Sequence, residues 1–271
     1  MSYLAREASN LSEDFWTELD ATVVSAAKKV LTGRRFLHLF GPLGIGTDSV
    51  AVDDADKLSE QAEDGLLVTA GRKYVQIPMI YDDFKIFAKD LESSKKAGFP
   101  IDFSKAIASA SICAFKEDKL IYFGNQALGY TGLMTAAGAN KINKKDWSKG
   151  ENAFADVAAS IEMLMAKSIY GTYSLVVSPD LYLQMQRLQA GTGLLEVERV
   201  EKLVDGHLYK TPVLGKEKAV LVCSEATNMD LVVGQDMAAA YLEQTELNHS
   251  FRILETAFPR IKREQAIVVF G

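Results

Sequence analysis

The chain of 271 residues has little cysteine or proline and no long apolar run. Its two cysteines, Cys113 and Cys223, lie far apart, which excludes a disulfide framework or a cysteine-rich zinc cluster. Six prolines and 19 glycines are too few for a collagen-like or low-complexity chain. No apolar stretch approaches the roughly 18 residues that a membrane-spanning helix needs. A globular protein remains, with 48% hydrophobic and 24% charged residues.

A strong positive charge is also missing. The net charge is −6, which argues against a general electrostatic attraction to nucleic acid. Four lysines and Trp147 in the segment 140–150 could contact nucleic acid, but a charged surface loop is the favoured interpretation. The first 16 residues lack the apolar core of a secretory signal. We therefore predict a cytoplasmic protein that has neither nucleic acid nor membrane as a partner.

Hydrophobic periodicity predicts an α+β protein with interleaved subdomains. Ser12 is the expected N-cap of an amphipathic helix over 12–32, and Gly33 its left-handed cap. Period-two alternation predicts a pair of adjacent strands between 72 and 92, an arm that has little core of its own and leans on a neighbouring chain. Further elements are expected as helices at 102–119, 152–169, from 178 to about 190, and 195–204, and as strands at 173–178, 219–225, 230–236, 238–244, 250–258 and 265–270.

The residue types that usually carry out catalysis do not form a recognised catalytic motif in the sequence. The glycines of 41–46 lack the spacing of a phosphate-binding loop and are interpreted as a turn. No GxSxG elbow is present, and adjacent carboxylates such as Asp82 and Asp83 point to opposite faces of a strand. None of the histidines stands in a metal-binding motif; they are His38, His207 and His249. The residues thus argue against a self-contained enzyme, and we assign no catalytic residue and no metal ligand.

A series of short segments, in a fixed order along nearly the whole chain, resembles the encapsulins, the shell proteins of bacterial and archaeal nanocompartments. No single segment is decisive, but their order and spacing are. The segments are TGRRFLHLFGPLG, FKIFAKDLE, EDKLIYFGN leading into GYTGLM, YSLVVSPDLY, TPVL, DLVVGQD, FRILETAFPRI and QAIVVF.

The resemblance implies the HK97 phage-capsid fold with an added N-terminal amphipathic helix. It divides the chain into 1–47 (first helix and start of the P-domain), 48–98 (the E-loop, which overlaps a neighbouring subunit), 99–133 (P-domain spine helix), 134–224 (A-domain) and 225–271 (C-terminal strands of the P-domain). The implied function is structural: many copies, about sixty in the smallest closed shell, form a hollow icosahedral cage.

In this family the cage encloses cargo enzymes, commonly ferritin-like proteins that store iron or dye-decolorising peroxidases that counter oxidative stress. The cargo carries a short terminal targeting peptide that docks between the N-terminal helix and the P-domain. By position the docking residues are Ala27, Val30, Leu31, Arg34, His38 and Leu231. Arg34 would hold a peptide carboxylate or carbonyl, and a structural salt bridge is the alternative role. His38 stands where a close relative can carry an acidic residue.

Two further expectations come from the resemblance. The five-fold pore loop corresponds to Gln189, Ala190, Gly191, Thr192 and Gly193, whose small neutral residues predict an opening limited by width rather than by a charged ring. Some members bind a flavin against an aromatic residue of the E-loop.

The flavin-stacking position is occupied here by Lys89, and a supporting basic position by Tyr81. Because the stacking face is lost, we predict no flavin and no other cofactor. Two other functions stay open at this point: a prophage major capsid protein with the same fold, and a free-standing protease or bacteriocin.

Overall fold

The computed structural model describes residues 3–53, 58–189, 191 and 193–271. Its six α-helices are α1 Glu13–Val30, α2 Ala88–Ala97, α3 Ser104–Phe123, α4 Asn152–Ala166, α5 Pro179–Gln184 and α6 Glu196–Leu203. Its strands are β1 Leu39–Phe40, β2 Ser49–Val52, β3 Ser59–Glu63, β4 Leu66–Ala70, β5 Lys73–Gln76, β6 Met79–Ile86, β7 Gly124–Asn125, β8 Tyr130–Thr131, β9 Asn140–Ile142, β10 Tyr173–Val177, β11 Leu208–Lys210, β12 Ala219–Cys223, β13 Met229–Thr245, β14 Asn248–Ile261 and β15 Ile267–Phe270.

A four-stranded sheet in the order β1-β13-β14-β6 supports both long helices of the first half. The antiparallel pair β13–β14 runs from Met229 opposite Ile261 to Thr245 opposite Asn248. Helices α1 and α3 pack against each other and on one face of this sheet. Aromatic rings fill the space between them: Phe15 of α1 lies 5.8 Å from Phe251 of β14, measured between ring centroids. Helices and sheet thus share one apolar core.

The second half of the chain forms a five-stranded sheet in the order β11-β10-β12-β15-β9. Strands β10 and β12 are buried along their entire length, except that Tyr173 is half-buried. Strand β15 pairs with β12 and β9, so the C-terminal strand lies in this sheet, whereas the sequence placed it with β13 and β14. Strand β14 ends at Ile261, and a short 3₁₀ turn brings β15 back across β12.

The arm between β1 and α3 consists of two-stranded ribbons, one formed by β2 and β5 and the other by β3 and β4. The predicted strand pair over 72–92 is wrong, because β5 pairs with β2 whereas β6 joins the four-stranded sheet next to β14. Pro78 lies between β5 and β6 and has no N–H to donate to a ladder. The end of the predicted pair is helix α2.

Several other predicted boundaries also change. The expected strands 230–236 and 238–244 are one strand, β13, which continues through register shifts beside Gln235. Helix α5 ends at Gln184 instead of near 190, since the chain turns so that Leu188 forms a bridge with Leu195.

Helix α1 begins as the sequence indicates, because the Ser12 side chain accepts a hydrogen bond from the Phe15 N–H. Its end differs from the prediction. The backbone leaves the helix at Leu31 in an extended conformation, and Gly33 lies in a short 3₁₀ turn without a positive φ. Gly33 is needed for space: a Cβ there would lie 2.4 Å from Cδ1 of Ile121 on α3.

We expect Gly33→Ala to destabilise the protein by about 2 kcal/mol, since the added methyl group must displace Ile121 from a filled core. The free energy of unfolding in a denaturant titration measures the effect. Gly46→Ala is the matched control because nothing lies within 4 Å of its added Cβ. Equal stabilities of the two variants would contradict the packing role of Gly33.

Candidate functional site

A buried cluster of charged side chains joins the end of α1 to α3 and the four-stranded sheet. The Arg34 guanidinium donates to Glu117 at 2.6 Å, to Glu255 at 2.8 Å and to Asp236 at 2.6 Å. Glu117 and Glu255 are almost completely buried, whereas the Asp236 side chain is 62% exposed. Arg34 therefore has carboxylate partners from one helix and two strands of its own chain.

Asp118, the neighbour of Glu117 on α3, holds the same segment through its backbone. Its carboxylate accepts hydrogen bonds from the N–H groups of Thr32 and Gly33, both at 2.9 Å. Burial raises the pKa of Asp118 to about 6, although these two backbone hydrogen bonds oppose the rise. Two adjacent carboxylates of α3 thus bind segment 32–34 through its backbone and through its arginine.

Arg34 makes the salt bridges within the protomer that the sequence offered as its alternative role, with three carboxylates as partners. Its contact with a cargo peptide stays a prediction.

Most of the other predicted docking residues are also not on the surface. Ala27 and Leu31 belong to the core between the helices and the sheet, and Leu231 belongs to a separate core cluster. Val30 is half-buried and His38 is exposed. The six residues therefore do not form one accessible patch within the protomer, because the apolar face of α1 is used for its own packing.

A second apolar surface was missed by the sequence analysis. Ile112 and Phe115, on the side of α3 that faces away from the sheet, are 43% and 44% exposed. Ala108 lies one turn earlier on the same side, and Val24 of α1 is 41% exposed. The spacing of Ala108, Ile112 and Phe115 was a readable signal, since residues four and three apart share one helix face. We name Val24, Ala108, Ile112 and Phe115 the outer helix face.

The predicted pore loop is only partly described. Gln189 is buried, and its side-chain amide donates to the carbonyl of Gly150 at 2.8 Å, so its side chain does not face an opening. Gly191 and Gly193 both have positive φ, with open space where a Cβ would be. Ala190 and Thr192 lie outside the described residues.

The two positions considered for flavin binding lie on different elements. Lys89 is exposed on α2, and Tyr81 is exposed on β6 with the Arg252 guanidinium 4.0 Å from its ring centroid. The absence of a flavin stays a prediction.

The basic segment carries no stacking platform. Trp147 is fully buried, and its indole N–H donates to Asp156 at 2.9 Å. Within the described parts of the chain, no group of three or more histidine, cysteine, aspartate or glutamate side chains is arranged to hold a metal ion. None of the described helices has the length and apolar character needed to cross a bilayer.

Three consecutive apolar side chains are exposed on the arm hairpin, which we define as residues 59–70. Leu66, Leu67 and Val68 are 73%, 63% and 59% exposed. Every residue of β3 and all but the last of β4 are exposed, so the hairpin has no core.

Solved structures with this architecture include a virus-like particle and phage capsids. A virus-like particle protein from Pyrococcus furiosus superimposes with a TM-score of 0.77, at 20% identity, over 95% of this chain and 100% of that chain. The capsid protein of the Myoviridae phage XM1 superimposes with a TM-score of 0.63, at 15% identity, over 89% and 91%. The chain therefore has the HK97-like capsid fold, an α+β fold that builds closed shells.

Sequence comparisons define the family within that fold. The family described as "Encapsulating protein for peroxidase" matches residues 1–258. The type 1 encapsulin shell protein EncA of Myxococcus xanthus is 37% identical, over 98% of this chain and 95% of the relative. A diheme-cytochrome-encapsulin shell fusion protein of Kuenenia stuttgartiensis is 38% identical, over 95% of this chain and 73% of the relative.

This chain belongs to the encapsulin family, and it is a shell protein that forms a nanocompartment. The resemblance seen in the sequence is confirmed, and the family match favours a shell protein over a prophage capsid protein or a free-standing protease or bacteriocin.

We expect Arg34→Lys to lower the free energy of unfolding by about 3 kcal/mol, because a lysine leaves the buried Glu117 and Glu255 incompletely compensated. Arg35→Lys is the matched control, since Arg35 is exposed and its side chain makes one long hydrogen bond, to the Lys28 carbonyl at 3.4 Å. Denaturant unfolding of both variants measures the difference. A stability of Arg34→Lys equal to that of Arg35→Lys would contradict the structural role.

Proposed function

We propose that about sixty copies of this chain close into a hollow icosahedral cage in the cytoplasm and enclose a cargo enzyme held by a short terminal peptide. The observation that carries the self-assembly is the arm hairpin, which presents apolar side chains that its own chain leaves uncovered. The shell chain itself supplies no catalytic residue and no resident cofactor in this proposal.

A two-stranded hairpin with exposed leucines is not stable on its own in a single protomer. A two-stranded ribbon is marginal in water, and exposed apolar strands tend to associate. Burying one leucine side chain contributes about 2 kcal/mol, and this contribution is repeated in every copy of a closed shell. A second copy of the chain is the partner that is always present at the required stoichiometry, so the hairpin favours overlap between neighbouring subunits.

We expect Leu67→Glu to prevent shell closure, because it places a charge in the apolar surface that a neighbour would cover. Thr69→Glu is the matched control, since Thr69 lies two residues from Leu67 on the same face of the ribbon and the change adds the same charge without removing an apolar side chain. Negative-stain electron microscopy and native mass spectrometry distinguish closed particles from small oligomers. Closed particles of Leu67→Glu at the wild-type yield would overturn the role of the hairpin.

The cargo peptide is proposed to dock on the outer helix face, with the face turned toward the interior of the cage. Helices α1 and α3 pack against each other, and Val24 of α1 is exposed, as are Ile112 and Phe115 of α3. Lys119 lies one turn after Phe115 on α3 and suits an extended peptide that carries both apolar and acidic residues.

The names of relatives support the choice of cargo class. Besides the cytochrome fusion of Kuenenia stuttgartiensis, a ferritin-like-encapsulin shell fusion protein of Pyrococcus furiosus is 23% identical, over 97% of this chain and 69% of the relative. The description of the matching family mentions peroxidase. A redox enzyme of the ferritin-like or dye-decolorising peroxidase type is therefore the proposed cargo, with iron storage or protection from oxidants as the outcome.

We expect Phe115→Gln to reduce cargo loading about tenfold without affecting shell closure, since one lost aromatic anchor costs roughly 1.4 kcal/mol or more. The probe is a ferritin-like protein that carries a terminal targeting segment, co-expressed with and without that segment. Phe115→Leu is the matched control and retains an apolar side chain. Unchanged loading of Phe115→Gln would place the docking site elsewhere, whereas empty wild-type shells would reject this cargo.

A further inference from the structure

Two buried glutamates meet at Arg34, and their charges are not balanced. The guanidinium carries one positive charge, whereas Glu117, Glu255 and Asp236 would together carry three negative charges if all were ionised. Asp236 is well exposed and can keep its charge in contact with water. Glu117 and Glu255 are almost completely excluded from solvent, and two adjacent buried carboxylates do not both ionise beside a single cation.

One carboxyl oxygen of Glu255 indicates where an additional proton would be bound. Oε2 of Glu255 accepts from Arg34, but Oε1 of the same carboxyl is fully buried without a hydrogen-bond partner. The side chain of Glu255 is also within hydrogen-bonding contact of Glu117. A proton on either glutamate would turn this carboxylate–carboxylate contact into a hydrogen bond and remove one buried charge.

The groups around the pair do not supply another neutralising charge. Cys113 of α3 is buried beside Glu255, and burial raises the pKa of its thiol to about 12, so it stays neutral. Lys116 points to Asp82 of β6, and Arg252 of β14 is bound to Asp83. Asp118 is a further carboxylate on the α3 side and adds negative charge. A proton is therefore the remaining neutralising charge.

This pair stands at the attachment point of the N-terminal helix. We define the latch as segment 32–34 together with Glu117, Asp118 and Glu255. The latch binds the residues directly after α1 to α3 and β14, so its state decides how firmly α1 is fixed to the sheet. Asp236 and the 15% exposed side chain of Arg34 provide a path to water for a proton.

We propose that Glu117 and Glu255 share one proton, and that loss of this proton to solvent at alkaline pH opens the latch and loosens the N-terminal helix. This inference concerns the wall of the protomer and does not depend on the cargo. It adds a pH-controlled attachment of α1 to the function of the shell protein.

The direction in which pH changes the stability of the latch follows from the raised pKa of Glu255. Burial, followed by the proximity of Glu117, raises the pKa of Glu255 well above its ordinary value of 4.5. A carboxyl that holds its proton more firmly in the folded state stabilises the fold completely below its ordinary pKa. This stabilisation is lost as the pH rises through the raised pKa of Glu255 in the folded state, so the latch weakens at alkaline pH.

Hydrogen exchange of the assembled wild-type shell tests the proposal. Between about pH 7.5 and pH 9, above the range in which Asp118 titrates, we expect the protection of the amides of Thr32 and Gly33 to fall by up to about tenfold per pH unit, after correction for intrinsic exchange. Glu255→Gln should remove this pH dependence, because an uncharged amide mimics the protonated carboxyl. Asp236→Asn is the matched control: it also changes a carboxylate that contacts Arg34, but it should retain the wild-type profile.

Infrared spectroscopy gives a second readout that does not need a variant to assemble equally well. At about pH 7.5, where Asp118 with a pKa of about 6 is mostly ionised, wild type should show the C=O stretch of a buried protonated carboxyl. The band should be lost on raising the pH and be absent in Glu255→Gln. A flat exchange profile in wild type, or the same profile in wild type and Glu255→Gln, would overturn the proposal, as would the absence of the band.

Discussion

The architecture depends on how segment 32–34 is attached to α3. Adjacent carboxylates at 117 and 118 bind its arginine and its backbone N–H groups, and Gly33 lets the segment approach Ile121 closely. This attachment sets the angle at which α1 lies beside α3 and leads the chain directly into β1, which pairs with β13. Because the carboxylates are buried, their cost of desolvation is offset only while this geometry is kept. The contact therefore specifies one arrangement of helices and sheet.

A rigid body and an incomplete arm coexist in one chain. The two sheets and their helices bury nearly all of the large apolar side chains of the core strands, whereas the arm hairpin buries none. A protein that folds alone gains little from such an arm, since exposed apolar strands invite association. In the proposed closed shell the same feature would become a joint between identical subunits. A chain that combines a complete core with an uncovered arm is thus suited to be a shell protein.

Local signals in the sequence predicted the elements that depend on near neighbours. The Ser12 cap, the strands β10 and β12 and the helix α6 follow from capping residues and apolar patterns within a few positions. The role of Gly33 was wrong because its reason lies on another helix, at Ile121, and no pattern near Gly33 indicates it. The partners of β5 and β6 were missed for the same reason, since pairing with β2 and β14 is decided across the fold.

At the candidate site, too, contacts with distant parts of the chain decide the role of single side chains and cannot be predicted from the local sequence. Family resemblance points to the region of the first helix, but it does not tell which of its residues are consumed by packing. Ala27 and Leu31 face the core because α1 has one strong apolar stripe and the sheet takes it. What remains for a partner is the opposite side of the layer, where α3 carries a second, weaker stripe at Ala108, Ile112 and Phe115. Exposed apolar patches on a helix are typical of interaction sites, which is why the proposed docking of the cargo peptide is placed on this second side.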